Sequence, residues 1–525
     1  MPSGSFAAQG EQAIPAAYAN QIPSIAFSVP DLDGQAKLLL NSKSGQEIAC
    51  IQSGVSNGKS LQLPAVSYAA AGVAAAALLF SGLSALVTAG HPGTTSSSPG
   101  FGEVMGWFHS VATSGMLSVE YPAVYRSFTS NFGFSTGLFQ WAQLQTSIDN
   151  FRLSTGGNLT GDSYQDLSNS TVASSNASST TKRSINLFLE RSLLASRDSI
   201  STSVTNSTSN NTTTPTNSSS VTNFVHGIQT YAAELMIPQS NVFMTVLLVF
   251  ALVIAAIAVG ILLFKVILEA WALYGTFPKK LSGFRKNYWD LLSRTITNLI
   301  LVLYGIWTLY CVFQFTRGDS WAAKVLAGIT LAVFTSVLAF FTFRIWQLAR
   351  RYKKAQGDAS ILYEDKETWR KYSLFYDVYK KEYWWLFVPL IIYMFARGCV
   401  IAGGDGHGLI QTGGQLIVES LMMILLLWSR PYATKSGQWI NLAIQAVRVL
   451  SVACILVFVQ ELGVSQTTKT IFGVVLIAVQ STLTGLLAIL IAVNALIVCI
   501  RENPHRKRRK QGGEQLELNL SKNVS

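Results

Sequence analysis

Long apolar runs alternate with polar connections along most of this chain. A helix needs about 20 apolar residues to cross a hydrocarbon core of about 30 Å. Eight runs reach that length: Pro64–Thr88, Val242–Phe264, Thr295–Phe315, Ala322–Ile345, Trp384–Ala402, Leu409–Trp428, Ile440–Val459 and Thr470–Val498. The stretch Phe101–Gln145 is aromatic and moderately apolar but carries Glu103, His109, Glu120 and Arg126. Its first part, Phe101–Val119, reads either as a further crossing or as a helix lying in the membrane interface. The pattern predicts an all-α polytopic transmembrane bundle of eight or nine spans.

Two segments break the pattern. Between Ile22 and Leu63, short strand-like runs (Ile25 to Val29, Lys37 to Leu40, Ile48 to Gln52) are punctuated by Pro30, Gly34, Gly45 and Gly54. They read as the end of a β-sandwich, and residues 1–21 show no secretory signal pattern. Residues 150–240 are dominated by Ser, Thr and Asn and predict a disordered luminal loop. Seven glycosylation sequons fall there, at Asn158, Asn169, Asn176, Asn206, Asn210, Asn211 and Asn217. The sequons at Asn519 and Asn523 lie in the C-terminal tail and are expected to stay unused.

Composition agrees with a bilayer environment. Charged residues make up 13% of the chain, against about 25% in soluble proteins. The net charge of +12 sits between the apolar runs, which argues against nucleic acid as the partner. Lys279 to Lys286, Arg350 to Lys381 and Arg501 to Lys510 form basic connections, whereas Gly403–Gly408 contains no Lys or Arg. The positive-inside rule places the basic connections in the cytoplasm. Counting back puts the Ser/Thr/Asn loop in the lumen, as the sequons require. If the N-terminal β segment is also luminal, Phe101–Gln145 must supply a second crossing. The total is then nine, with the C-terminus cytoplasmic. Four of the five cysteines lie in apolar runs; Cys50 does not and has no obvious partner.

Polar side chains inside spans are costly and point to function or to helix–helix contact. Gln411, Gln415 and Glu419 recur every four residues, and Asn441, Gln445 and Arg448 share a face of the next span. Matching depths, at 1.5 Å per residue, predict a Glu419–Arg448 pair near the midplane. Arg397 lies somewhat nearer the lumen, at the level of Gln415, and Gln480, Thr484 and Asn494 add polarity on the last span. The set reads either as the lining of a solute path or as interhelical glue.

Other motifs carry little chemistry. Gly403-Gly404-Asp405-Gly406-His407-Gly408 lacks the third glycine of a dinucleotide loop and predicts a flexible luminal turn. Gly58-Lys59-Ser60 lacks the first glycine of a P-loop. No His pair has metal-ligand spacing, and no nucleophile–base arrangement has support, so neither a metal site nor an enzyme is expected. The basic tail suits anionic lipid headgroups as well as a plain topogenic role. Lys182-Arg183 offers a dibasic processing site.

Several stretches resemble the fungal flavin carrier family, whose members join an ML-like β-sandwich to a transient-receptor-potential-like bundle. They are Ile22 to Leu32, the segment from Gly106-Trp107-Phe108 to Tyr125-Arg126-Ser127-Phe128, Ser147 to Arg152, Trp384-Trp385, Arg430-Pro431-Tyr432, Gln466 to Thr470, and the tail Arg501 to Lys510. The resemblance implies a remnant of the ML-like domain over 1–63 and first crossings over 64–149. The glycosylated loop follows over 150–240, then a seven-span bundle over 241–500 and a cytoplasmic tail over 501–525. It also implies FAD as a transported solute entering the endoplasmic reticulum lumen, with links to calcium homeostasis and cell-wall integrity. The alternatives are a calcium-permeable channel and a non-transporting scaffold or lipid-handling protein.

Overall fold

The computed structural model of the protein describes residues 30–31, 33–41, 47–56, 59–88, 99–160, 162–168, 227–274, 288–357 and 359–501. Six of the seven sequons, the side chain of Cys50, the dibasic pair and the basic tail lie outside the described residues.

Strands β1 (Asp33–Asn41) and β2 (Glu47–Ser56) form an antiparallel hairpin with Asp33 opposite Ser56. Its exit is stitched to the helices. Asp31 accepts from the backbone N–H of Leu61 at 2.5 Å and the hydroxyl of Ser60 at 3.2 Å. Asn131 accepts from the Leu63 N–H at 3.0 Å and donates to the Leu61 carbonyl at 2.9 Å. These bonds define one end of the molecule, the hairpin end.

Helix α1 (Pro64–Thr88) leaves that end, and α2 (Phe101–Ser114) returns to it. The Phe101 N–H donates to the Ser81 hydroxyl at 3.1 Å, so α2 starts deep along α1 and runs antiparallel to it. At its other end Ser118 meets Gln411 at 2.6 Å, beside the turn that joins two later spans. Helix α2 therefore makes the second passage. Its 14 residues give about 21 Å, less than a full core. It manages without a lipid-facing apolar length because Trp107 to Ser114 are buried in the bundle.

Three short helices follow at the hairpin end: α3 (Ala123–Ser130), α4 (Ala142–Ser154) and α5 (Gly227–Glu234). The remaining passages are α6 (Val242–Tyr274), α7 (Tyr288–Arg317), α8 (Trp321–Gln356), α10 (Phe387–Gly403), α11 (Gly408–Ser429), α12 (Lys435–Ile455) and α13 (Gln466–Arg501). Helix α9 (Lys366–Tyr376) lies at the far end, between α8 and α10. Among the described residues, eight helices are long and apolar enough to cross a membrane. Helix α2 runs alongside them as a ninth helical passage among the described residues. Several helices outrun their apolar runs. Helix α8, at 36 residues, is about 54 Å long and ends in exposed Arg351, Lys353 and Lys354.

Large apolar side chains such as Leu263, Phe343, Leu421 and Ile489 face outward, as a lipid-facing surface requires. The interior is held by close helix contacts. A Cβ on Gly398 of α10 would lie 2.7 Å from the Gly305 carbonyl of α7, so only glycine lets these two backbones meet there.

The hairpin end is tied by buried charge. Residues 150–160 and 162–168, which composition assigns to the Ser/Thr/Asn-rich loop, are folded around Arg152. Its guanidinium is fully buried. It binds Asp319 through Nε at 3.1 Å and Nη2 at 2.6 Å, Asp149 at 3.2 Å, Asn241 at 2.8 Å and the Asp162 carbonyl at 2.9 Å. Burial alone would raise the Asp319 carboxyl, but the Arg152 contacts outweigh it and hold the group below its ordinary range. The Gly-rich turn expected to be flexible is pinned as well. Asp405 is buried, pairs with Arg317 at 3.2 Å and accepts from Ser118 at 3.1 Å. Lys469 reaches Glu120 at 2.5 Å.

Glu234, where α5 packs toward α3 and the hairpin exit, titrates differently. Burial pushes its carboxyl from 4.5 up to about 7, against the pull of Arg126, with Asp31 adding to the rise. The uncharged acid therefore fits the fold better than the carboxylate. Stability from this site is full below about pH 4.5 and is lost as pH rises to about 7. The loss is on the order of 3 kcal/mol. Unfolding midpoints across this window should fall for the native chain relative to Glu234→Gln, and parallel profiles would refute the assignment.

Candidate functional site

The intramembrane polar residues come together where α10, α11 and α12 meet α2. Glu419 of α11 is the centre, 1% exposed. It accepts from Tyr393 Oη at 2.8 Å, Gln415 Nε2 at 2.9 Å and Gln445 Nε2 at 2.8 Å. Arg397 Nε lies 3.4 Å from its Oε1, close enough for an ion pair without an aligned hydrogen bond. Arg397 also donates to Thr113 of α2 at 2.7 Å.

The expected Glu419–Arg448 pair is not formed. Tyr393, one turn before Arg397 on α10, stands between the two groups. Its hydroxyl donates to Glu419 and accepts from Arg448 Nη1 at 3.4 Å. Arg448 Nη2 instead donates to the Gly106 carbonyl of α2 at 2.6 Å. A Cβ at Gly106 would lie 3.5 Å from that Nη2, in ordinary contact.

The other expected members lie apart. Gln411 belongs to the hairpin-end turn, bonding Ser118 and the Ile401 carbonyl. Asn441 donates to Glu103 near the start of α2. Gln480 joins Tyr125 at 3.1 Å and Ser451 at 3.1 Å on another face of the bundle. Thr484, on the same helix, accepts from Trp107 at 2.9 Å. Asn158, the one described sequon, lies beside Arg152 and donates its N–H to Asp319 at 2.9 Å. Two members of the site escaped the sequence reading, Tyr393 and Glu103. The signal for Tyr393 was available, because it shares a helix face with Arg397 at a spacing of four.

A cavity of about 440 Å³ opens beside this centre, within the usual range for small-molecule sites of about 300–1,000 Å³. Gly106, Thr113, Tyr393, Arg397, Gln445 and Arg448 line its inner end. Toward the far end it is lined by Glu103, Asn441, Arg294, Asp377, Tyr379 and Tyr432. Between them the walls are largely aliphatic, with Leu301, Ile306, Leu390 and Met422 among them. Beyond its inner end, toward the hairpin end, Ser118 is bonded to Gln411, Asp405 and the Gly406 N–H. The arrangement is a vestibule with a cationic inner end and a stitched seal above it. Among the described residues no cluster of His, Cys, Asp or Glu is arranged to hold a metal ion.

Among the described residues, eight long apolar helices and α2 enclose a buried polar centre and a vestibule, as in a polytopic membrane protein of the channel or carrier class. The chain belongs to the transient receptor potential (TRP) ion channel family, whose pattern matches residues 66–517. Residues 1–61 match the ML-like domain. The chain is similar to the TRP-like ion channel protein flc1 of Cryptococcus neoformans, 27% identical over 91% of this chain and 63% of that protein. Flavin carrier protein 2 of Saccharomyces cerevisiae is 25% identical over 96% of this chain and 64% of its own length. The TRP-like ion channel pkd2 of Schizosaccharomyces pombe is 25% identical over the whole of this chain and 70% of that protein. The chain thus spans just under two thirds of the first two relatives. No solved structure matches it.

Proposed function

We propose that this protein moves an anionic solute across a membrane of the secretory pathway, with FAD entering the endoplasmic reticulum lumen as the transported species. One observation carries the reading. Arg448 faces the vestibule, and its hydrogen-bond partners are neutral, the Gly106 carbonyl and the Tyr393 hydroxyl. A guanidinium held in a low-dielectric site by neutral groups favours an incoming anion. The names of the flavin carrier relatives support the choice of solute. The hairpin end is the luminal face in this reading. Its arginines Arg152 and Arg317 are paired with acids, whereas Arg351, Lys353 and Lys354 at the far end are exposed, as the positive-inside rule expects of a cytoplasmic face. Roles in calcium homeostasis and cell-wall integrity would follow indirectly, through folding in the lumen.

Cation conduction is the alternative, supported by the names of the channel relatives. It needs a carboxylate free to meet the ion, and Glu419 is engaged by three donors and Arg397. Uptake of FAD into proteoliposomes separates the two. Saturable uptake should fall about 10–100-fold in Arg448→Ala, the worth of one charge-assisted contact. Calcium flux without FAD uptake from the folded protein would decide for the channel.

A further inference from the structure

The cavity is built asymmetrically, and the asymmetry says more about its ligand than the sum of its charges does. At the inner end Arg397 is neutralised by Glu419, 3.4 Å away. Among the described residues no carboxylate pairs with Arg448, and its Nε is buried without an acceptor. A buried charged donor left unmatched is costly, so the inner end is matched to one anionic group rather than to a run of them. At the other end Arg294 shares the lining with two carboxylates, Asp377 and Glu103, so that end offers no net cationic subsite. There Tyr379 and Tyr432 stand with ring centroids 5.5 Å apart, next to Phe375 and Phe387, themselves paired at 5.6 Å. All four line the cavity. Asn298 and Asn441 supply amide groups at the same level. Aliphatic walls lie between the two ends.

From this we infer that the vestibule is a binding site for a mononucleotide-type ligand. Its single phosphate is drawn to Arg448, and its planar ring is held among Tyr379, Tyr432 and the aliphatic walls. The inference rests on the anionic-solute reading of the same cavity and makes it narrower. One unmatched cation and one aromatic platform recognise one phosphate and one ring, so a dinucleotide would enter by one of its halves. Phosphate contributes through a charge-assisted contact and the ring through stacking, which tolerates different bases. FMN and AMP should therefore both bind, and riboflavin, which has the ring without the phosphate, should bind poorly.

The test is equilibrium binding to the full chain in phosphatidylcholine nanodiscs, read by quenching of flavin fluorescence. FMN is expected to bind at least about 10-fold more tightly than riboflavin. AMP should displace it. Arg448→Gln should remove the preference for FMN while leaving riboflavin unchanged, and Arg448→Lys should restore part of it because the charge is kept. Tyr379→Leu should weaken FMN and riboflavin alike, by about 5–100-fold, with unfolding midpoints showing that each variant is folded. Equal affinity for FMN and riboflavin would overturn the inference. So would displacement of FMN by phosphatidylinositol as effective as by AMP, which would assign the cavity to a lipid headgroup. FMN binding without FAD uptake would sink the transport reading and keep the site. FAD uptake that neither FMN nor AMP inhibits would keep transport and sink the site.

Discussion

Replacing Arg152 by Ala is expected to cost the fold about 3–5 kcal/mol, the usual consequence of removing one partner from a buried ionic cluster. The guanidinium is fully buried and joins four separate segments. They are Asp149 on its own helix, Asp162, Asn241 at the start of α6 and Asp319 in the connection between α7 and α8. Without it, three carboxylates and the Asn241 side-chain oxygen face one another with their shared cation gone. Arg152→Lys should recover only part of the loss, because a single ammonium cannot reproduce the paired contact to both Asp319 oxygens at 3.1 and 2.6 Å. The measurement is the thermal midpoint of purified protein in detergent, alongside protease sensitivity of the hairpin end. A midpoint within about a degree of the native value, where a loss of about 3–5 kcal/mol ought to lower it by about 3–5 °C in a chain of this size, would show that the cluster contributes little.

The second large effect concerns Glu419 and Arg397. Glu419→Leu alone should cost about 3–5 kcal/mol, since it strands Arg397 inside the bundle along with Tyr393, Gln415 and Gln445. Adding Arg397→Met should restore much of the stability, because an apolar pair of similar volume is often as stable as the ion pair it replaces. The double variant separates the two meanings of the polar centre. If these residues only hold helices together, the double variant transports as the native protein does. If they shape the solute path, it is folded and transport is lost. Glu419→Leu with Arg448→Met, the combination that depth-matching suggests, should remain unstable, because Arg397 is then still without its acid.

That contrast marks where sequence stops being informative. Spacings of four and three put Gln415 with Glu419 on one face, and Gln445 with Arg448 on another, because helical geometry is local. They do not choose between Arg397 and Arg448 as the partner of Glu419. The choice follows from Tyr393, which stands between Glu419 and Arg448, and from the Gly106 carbonyl, which belongs to a helix far away in the chain. Gln411, Asn441 and Gln480 lie in helices that the sequence reads as spans, but each answers to its own neighbour: Ser118, Glu103 and Tyr125. The Arg152 cluster shows the same limit. Asp149 lies three residues away and is visible on paper, whereas Asp162 and Asp319 become partners only once α4, α6 and α7 are packed. The spans themselves were legible because lipid imposes one simple rule on whatever faces it. Helix α2 escaped that rule by facing protein.

That escape bears on how the chain is made. A segment enters lipid on leaving the ribosome only if its own side chains favour it, and Phe101–Ser114, with Glu103, His109 and three hydroxyl side chains, does not recommend itself. The partners that donate to its polar groups, Asn441, Arg397 and Arg448, are synthesised long afterwards. For most of translation, then, α2 has no place in the bilayer to occupy. Its seat is set by assembly after insertion, and the topology of everything before α6 stays open until the last helices arrive to close it.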